Sequence, residues 1–293
     1  MRGPADGWED ALSVWAQAQG DIRALVQIGS RVQPGAAVDA WSDYDYQLVT
    51  TAPERYRDGA FCRQLGPCWA SGAQVAFGNS VKVTGIFAGA READFVILHH
   101  REVVIALLAL RWPRTARLWP RALRQGVANL RIVAAPGWRV IKGGARWERR
   151  YARIQPLRLP LTHREFNALC GEFWTQLVWA AKKAGRGEFV ASQRGLHRHL
   201  LENALRVLQE EALLEGRPAY PLGRRAELWL GAEPARVLAA GSRPERASLL
   251  TALEGLADVF SRSSQALAAR QGWESPSTGE LRAWLGRLAA NPN

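Results

Sequence analysis

The chain reads as a mixed α/β domain followed by an all-α domain. Three observations predict this. Short apolar strands alternate with helical stretches in the first 135 residues. The character changes abruptly at residue 162, and helical periodicity dominates from there to the end.

A first helix is expected over Trp8–Gln19, where Trp8, Leu12, Trp15 and Ala16 share one face. Ala24–Ile28 (ALVQI) reads as a buried strand ending at Gly29-Ser30. Asp43–Thr50, Lys82–Phe87 and Asp94–Leu98 are three further strands, the last two joined by residues 88–93. The segment 111–160 is rich in arginine and tryptophan and is interrupted by Pro and Gly. It is expected to be largely a linker, with a short helix near 115–125 and a strand at Trp138–Ile141. Thr162 to Glu165 then forms a capping box, flanked by Leu161 and Phe166 at the positions of a hydrophobic staple. Apolar residues recur at helical spacing from Phe166 to Ala181, and similar patterns follow over 196–214, 226–229, 247–267 and 279–288. The expected boundaries are a first domain over 1–135, a linker over 136–160 and a helical domain over 161–293.

Composition narrows the class. With 47% apolar residues and 13 tryptophans the chain has the material for packed cores and large aromatic contacts. The start carries no long apolar stretch, so a signal peptide is not expected. The longest apolar run, Val103–Leu110, is far below the ~20 residues of a membrane span. A soluble, cytoplasmic protein with no membrane partner is expected, and a monomer. Cys62, Cys68 and Cys170 lack metal-site spacing and read as reduced thiols. His99-His100 and His197-x-His199 have no acidic or thiol partner at metal-site spacing.

The net charge of +12 is unevenly spread. Residues 1–105 hold 9 basic and 12 acidic residues, 106–160 hold 13 and one, and 161–293 hold 17 and 14. The excess therefore sits in one middle segment, unlike the broadly basic surface of a typical nucleic-acid binder. Arg111, Arg114, Arg117, Arg121, Arg124 and Arg131 lie there with Trp112 and Trp119 between them. Such a run suits either a nucleic-acid or phosphate-binding arm or a solvated arginine-rich face. The second reading is favoured from sequence, so nucleic acid is an open but unfavoured partner.

The chemistry is concentrated in Gly29-Ser30-Arg31 and, twelve residues on, Asp43-Tyr44-Asp45-Tyr46. In a strand, residues two apart face the same side, so Asp43 and Asp45 present two carboxylates together. Magnesium favours a few carboxylates supplemented by phosphate oxygens and water. Two such ions can stabilise both the attacking and the leaving oxygen of an in-line displacement. Gly29 lets the backbone approach a phosphate, Ser30 can donate to a triphosphate and Arg31 can add charge there. Asp94 opens a later strand. If that strand lies beside the Asp43–Asp45 strand, Asp94 either accepts the proton of an attacking hydroxyl or completes a metal site. Three clustered carboxylates repel one another without cations, which is an argument for metal.

These residues resemble the aminoglycoside 6-adenylyltransferases, or streptomycin adenylyltransferases. Gly29-Ser30-Arg31 with Ser42-Asp43-Tyr44-Asp45 is similar to that family's GSR…DYD signature, and Asp94-Phe-Val-Ile-Leu to its third-carboxylate strand. Thr162, Arg164-Glu165-Phe166 and Glu172-Phe173-Trp174 resemble its T-x-REF…EFW helix. Lys182, Glu188 and Asn203-x-Leu205-Arg206 fall at matching distances. The resemblance covers roughly 10–105 and 160–210. It implies a nucleotidyltransferase domain with a mixed sheet, followed by a helical substrate-binding domain, with ATP and antibiotic between them.

On that resemblance Asp43 and Asp45 would hold magnesium, and Asp94 would be base or third ligand. Lys182 would reach the triphosphate, and Glu172 and Glu188 would meet substrate amines or guanidinium groups. The expected reaction moves AMP from ATP to a hydroxyl of a streptomycin-type aminoglycoside and releases pyrophosphate. Two other readings stay open: the same chemistry on a different small-molecule, protein or nucleic-acid acceptor, and a non-catalytic RNA-binding relative. The chain departs from the family at 106–137, which reads as an insertion. It also lacks an acidic DKD-type match near Val140–Gly144 and has Leu201 where an arginine is expected.

Overall fold

A computed structural model of the chain describes residues 7–34, 38–39, 41–78, 80–156, 160–220, 223–230, 241–274 and 278–290. Residues 1–6 and the side chain of Arg114 lie outside the described parts. The chain divides into two compact units, Met1–Arg158 and Leu159–Asn293.

The first unit is built on a mixed six-stranded sheet. The strands are β1 (Ile22–Ile28), β2 (Tyr44–Thr50), β3 (Cys68–Val75), β4 (Val81–Phe87), β5 (Arg91–His99) and β6 (Trp138–Lys142), in the order β3-β4-β5-β2-β1-β6. The pair β2–β5 is parallel and the other four pairs are antiparallel. β1 and β2 are buried along nearly their whole length because both sheet faces are covered, which is why they read as apolar runs rather than alternations.

One face packs against helix α1 (Trp8–Ala18), whose Trp8, Leu12, Trp15 and Ala16 are buried at helical spacing. Trp8 Nε1 donates to Tyr46 Oη at 3.1 Å, and Tyr46 stacks on Phe95 at 5.2 Å between centroids. Cys62 is buried in this same layer, and burial pushes its thiol up to about 12. The opposite face carries α2 (His100–Ala109), α3 (Arg121–Ala134) and α4 (Gly144–Tyr151). Tyr151 Oη donates to Gln47 Oε1 at 2.5 Å, which satisfies a buried amide in the middle of β2.

Within the segment expected to be a linker, 136–160, the strand expected at Trp138–Ile141 forms as β6, and a helix that was not expected, α4, follows it in the first unit. β6 pairs with β1 from Trp138 to Lys142, and Trp147 and Tyr151 of α4 are buried against the sheet. The expected short helix near 115–125 is a 3-10 turn at Pro113–Leu118 followed by α3. β3 was not expected. It is an edge strand whose residues 69–75 are all exposed, and its Ala, Ser, Gly and Gln carry no apolar alternation to mark it.

The loop end of the first unit is tied down by Asp21. Its carboxylate accepts from Thr50 Oγ1 at 2.8 Å and Tyr56 Oη at 2.9 Å, and pairs with Arg55 at 2.5 Å. Partial burial raises its pKa, but the hydrogen bonds from Thr50 and Tyr56 and the Arg55 charge outweigh this and hold it below the ordinary 3.8. Asp21 therefore contributes stability that is present above 3.8 and lost as pH falls through the lower folded-state value. The difference in melting temperature between wild type and Asp21→Asn is expected to be widest near neutrality and to close at acid pH. A gap that stays constant into the acid range would contradict this.

The second unit is all helical. Its helices are α5 (His163–Gly185), α6 (Phe189–Gly195), α7 (Glu202–Leu214), α8 (Ala226–Trp229), α9 (Arg246–Gln271) and α10 (Gly279–Ala290). The capping box forms as expected: the Thr162 amide donates to Glu165 Oε2 at 2.9 Å and the Glu165 amide to Thr162 Oγ1 at 3.3 Å. Leu161 and Phe166 are both buried beside it. Thr162→Ala is expected to cost about 1 kcal/mol in chemical denaturation. An unchanged midpoint would show that the box adds nothing.

The core of this unit is centred on Phe173 of α5 and Phe260 of α9, stacked 3.7 Å apart and fully buried. Between α6 and α7 the chain makes one π-helical stretch, Leu196–Leu201, without leaving the helical path. Gly195 precedes it, and a Cβ there would lie 2.7 Å from the Trp179 ring, so glycine is what lets the helix approach α5. No helix among the described residues is long and apolar enough to cross a membrane.

Candidate active site

The site lies on a single row across the sheet. Thr84 of β4, Asp94 of β5, Asp45 of β2 and Ile28 of β1 are successive neighbours in register. Tyr44 and Tyr46 face α1, so alternation turns Asp45 to the other face, which also bears α2, α3 and α4. Asp94 faces the same way, because its neighbours Ala93 and Phe95 pack towards α1. Asp43, one residue before β2, completes the group. One carboxylate oxygen each from Asp43, Asp45 and Asp94 lies within 4.8 Å of the other two.

Three features hold this arrangement. The first is Gly29, at the end of β1 with φ +79. A Cβ on it would sit 2.1 Å from Asp45 Oδ2 and 2.9 Å from Asp45 Cγ. The left-handed turn and the room for the carboxylate thus both require glycine. The second is Arg31. Its guanidinium donates to the Ser42 carbonyl at 2.7 Å and the Asp43 carbonyl at 3.1 Å, and lies 3.8 Å over the Tyr44 ring. It fastens the backbone entering β2 and so sets where Asp43 stands. The third is the pair Lys82 and Thr84, which the sequence reading did not single out. Lys82 Nζ donates to Asp94 Oδ2 at 2.6 Å, and Thr84 Oγ1 donates to Asp94 Oδ1.

Asp94 is buried, with its carboxylate fixed at both oxygens. Burial lowers the pKa of Lys82, but its hydrogen bond to Asp94 and the charges of Asp94, Asp45 and Glu92 outweigh this and hold it above the ordinary lysine range. Lys82 is therefore cationic at all physiological pH values and offsets part of the negative charge. A signal for both residues was available in sequence. Lys82, Thr84 and Asp94 fall in two strands joined by a short turn, and the hairpin register brings them together.

The donor set fits a hard divalent cation. It is all oxygen and all carboxylate, and one cationic side chain neutralises only part of three converging acids. Asp43, Asp45 and Asp94 are the residues that would hold such an ion.

The remaining expected site residues are Ser30 of the first unit and three residues of the second. Ser30, beside Gly29, is partly exposed. Glu172, Lys182 and Glu188 belong to the second unit and are exposed. Glu172 lies 3.6 Å from His199 of the π-helical stretch, and Glu188 pairs with Lys183 at 2.5 Å. Lys182 stands in the last turn of α5, ten positions from Glu172 and so about 15 Å along the axis.

The fold and site define an α+β sheet domain carrying a metal-type acidic triad, joined to an all-α unit. In sequence, the family model of the streptomycin adenylyltransferases matches residues 8–77. The similarity is thus to an enzyme family, and it spans Gly29, Ser30, Arg31, Asp43 and Asp45 but ends before Asp94. Among solved structures, the chain is similar to an aminoglycoside 6-adenyltransferase from Bacillus subtilis, at 13% identity and a TM-score of 0.44. That alignment covers 97% of this chain and 99% of the other. A nucleotidyltransferase-like protein from Exiguobacterium sibiricum 255-15 aligns at 12% identity and a TM-score of 0.34, over 96% and 89% of the two chains. No curated protein matches the sequence.

Proposed function

We propose that the protein is a metal-dependent nucleotidyltransferase that moves AMP from ATP to a hydroxyl of a streptomycin-type aminoglycoside, with release of pyrophosphate. The observation that carries this reading is the convergence of Asp43, Asp45 and Asp94 around the space that Gly29 leaves open. The family match over residues 8–77 supports the adenylyl donor and the class of acceptor.

Asp43 and Asp45 would hold magnesium, and Asp94 would be base or third ligand, in a two-ion site. Bound there, magnesium supplies positive charge to the triphosphate and to the developing oxyanions. Ser30 donates to the triphosphate, and the backbone at Gly29 admits a phosphate close to the strand end. Asp94 accepts the proton of the attacking hydroxyl. That oxygen forms a bond to the α-phosphorus, the bond to the bridging oxygen breaks, and pyrophosphate leaves with the electron pair. Lys82 and Thr84 hold the Asp94 carboxylate in position through hydrogen bonds to its two oxygens.

On the family resemblance, Lys182 is assigned to the triphosphate. Glu172 and Glu188 receive the amines or guanidinium groups of the antibiotic, since a polycation calls for carboxylates. The enzyme works as a monomer in the cytoplasm.

Metal binding tests the reading apart from turnover. Calorimetric titration with manganese is expected to show saturable binding to wild type that Asp45→Asn and Asp94→Asn each weaken at least tenfold. Equal affinity in all three proteins would remove the site from this row of the sheet.

A further inference from the structure

We propose that the groove between α2 and α4 binds the phosphodiester backbone of single-stranded nucleic acid. Five arginines line this groove: Arg111 just beyond α2, Arg146, Arg149 and Arg150 on α4, and Arg153 just beyond it. Leu107 and Leu108 of α2 form its apolar floor. The site is separate from the acidic triad and does not rest on the proposed transferase reaction.

The spacing of the arginines makes the convergence. Positions 146, 149, 150 and 153 follow the i, i+3, i+4, i+7 rule and so share one face over roughly 10 Å. Arg111 meets them from the opposite wall. No acidic residue lines the groove, and among the described residues none of the five forms an ion pair. A merely solvated face would spread such charges apart. The C-terminal ends of α4 and α2 favour Arg149, Arg150, Arg153 and Arg111, but give no reason for Arg146, near the start of α4, to join them.

The neighbours register the field. Burial lowers the Arg150 guanidinium, and the Arg146 and Arg153 charges add to that. His100, at the start of α2, is lowered by burial and then by Arg150 and Arg23.

Length and aromatic content select the ligand. A cationic stripe of roughly 10 Å is longer than one phosphate needs and suits a row of them. Trp112 follows Arg111 directly, is 57% exposed, and lies 5.6 Å from that guanidinium. An exposed indole beside a cationic groove is a stacking platform for an unpaired base. Trp119 is not such a platform, because its Nε1 donates to Thr115 Oγ1 at 2.9 Å and its ring packs on the core. Of the arginine run over 111–131 only Arg111 lines the groove; the other four arginines come from 146–153.

The test is fluorescence anisotropy of the full chain with a labelled oligouridine of about 12 nucleotides, in EDTA and without nucleotide, between about 50 and 200 mM salt. Five phosphate contacts predict a slope of log K against log salt of about −3.5. The double variant Arg149→Gln/Arg153→Gln, at two exposed positions, is expected to bind more weakly with a slope shallower by about 1.4. Trp112→Ala is expected to weaken binding roughly five- to a hundredfold at unchanged slope. Circular dichroism of the variants checks that both remain folded. No binding at the lowest salt, or an unaltered slope in the double variant, would overturn the proposal. So would duplex RNA binding as tightly as the single strand, or tripolyphosphate displacing the oligonucleotide at equal phosphate concentration. The latter would reassign the groove to free oligophosphates.

Discussion

Asp45→Asn is expected to lower turnover by on the order of a thousandfold or more, because metal-borne charge stabilisation at a phosphoryl centre is worth several kcal/mol. Asp45 is the middle member of the row, between Asp94 on one side and Ile28 on the other, and its carboxylate fills the space beside Gly29. The amide has nearly the same shape but no charge, so the loss falls on cation binding rather than on packing. The melting temperature is expected to hold or to rise slightly, since one of three mutually repelling carboxylates is removed. Asp43→Asn is expected to behave alike. An Asp45→Asn protein with full turnover would sink the assignment of the triad, and one that fails to fold would show that Asp45 is a structural group.

Gly29→Ala is expected to have the second largest effect, and through a different route. At φ +79 an alanine costs about 1–2 kcal/mol of backbone strain, and its methyl would lie 2.1 Å from Asp45 Oδ2 and 3.1 Å from Asp45 Cβ. Rotation of the carboxylate alone does not clear the second contact, so the side chain and the strand end must shift together. Displacement of this size at a reacting centre costs on the order of a hundredfold in rate. Gly272→Ala is the control. Gly272 also has a left-handed φ, +66, but a Cβ there would meet nothing within 4 Å. It should lose a similar amount of stability and no activity. Equal activity loss at both positions would mean that general destabilisation, not the position of Asp45, is responsible.

The parts of this fold that were legible in sequence are those where one physical demand dominates. β1, β2 and β5 announce themselves because strands buried on both faces must be apolar, and the exceptions, Asp45 and Asp94, then stand out as candidates, whereas β4 is buried only at alternate positions, Val83, Gly85 and Phe87. The start of α5 was legible because a capping box is a local, side-chain-specific device. The rest depended on tertiary context. β3 has no apolar face, since its outer side meets solvent along an edge. α4 lies among glycines and arginines that suggest a linker, yet Trp147 and Tyr151 are buried against the sheet, with Tyr151 packed on Trp138 of β6. The arginine groove was invisible because Arg111 and Arg146 are 35 positions apart and meet only once α2 and α4 have packed on the same face. Arg31 was read as a charge for phosphate, and its bonds to the Ser42 and Asp43 carbonyls add a role in shaping the entry to β2.

The central claim is adenylyl transfer to an aminoglycoside, and pyrophosphate release tests it most directly. The purified chain is incubated with magnesium, each of the four ribonucleoside triphosphates in turn, and a panel of antibiotics that includes streptomycin and a lincosamide. Pyrophosphate release that requires magnesium, ATP and streptomycin together, and that is lost in Asp45→Asn, is the predicted result. Absence of release with every antibiotic and every nucleotide, from a folded protein that binds manganese, would contradict the assigned acceptor. Release unaffected by Asp45→Asn would contradict the site itself.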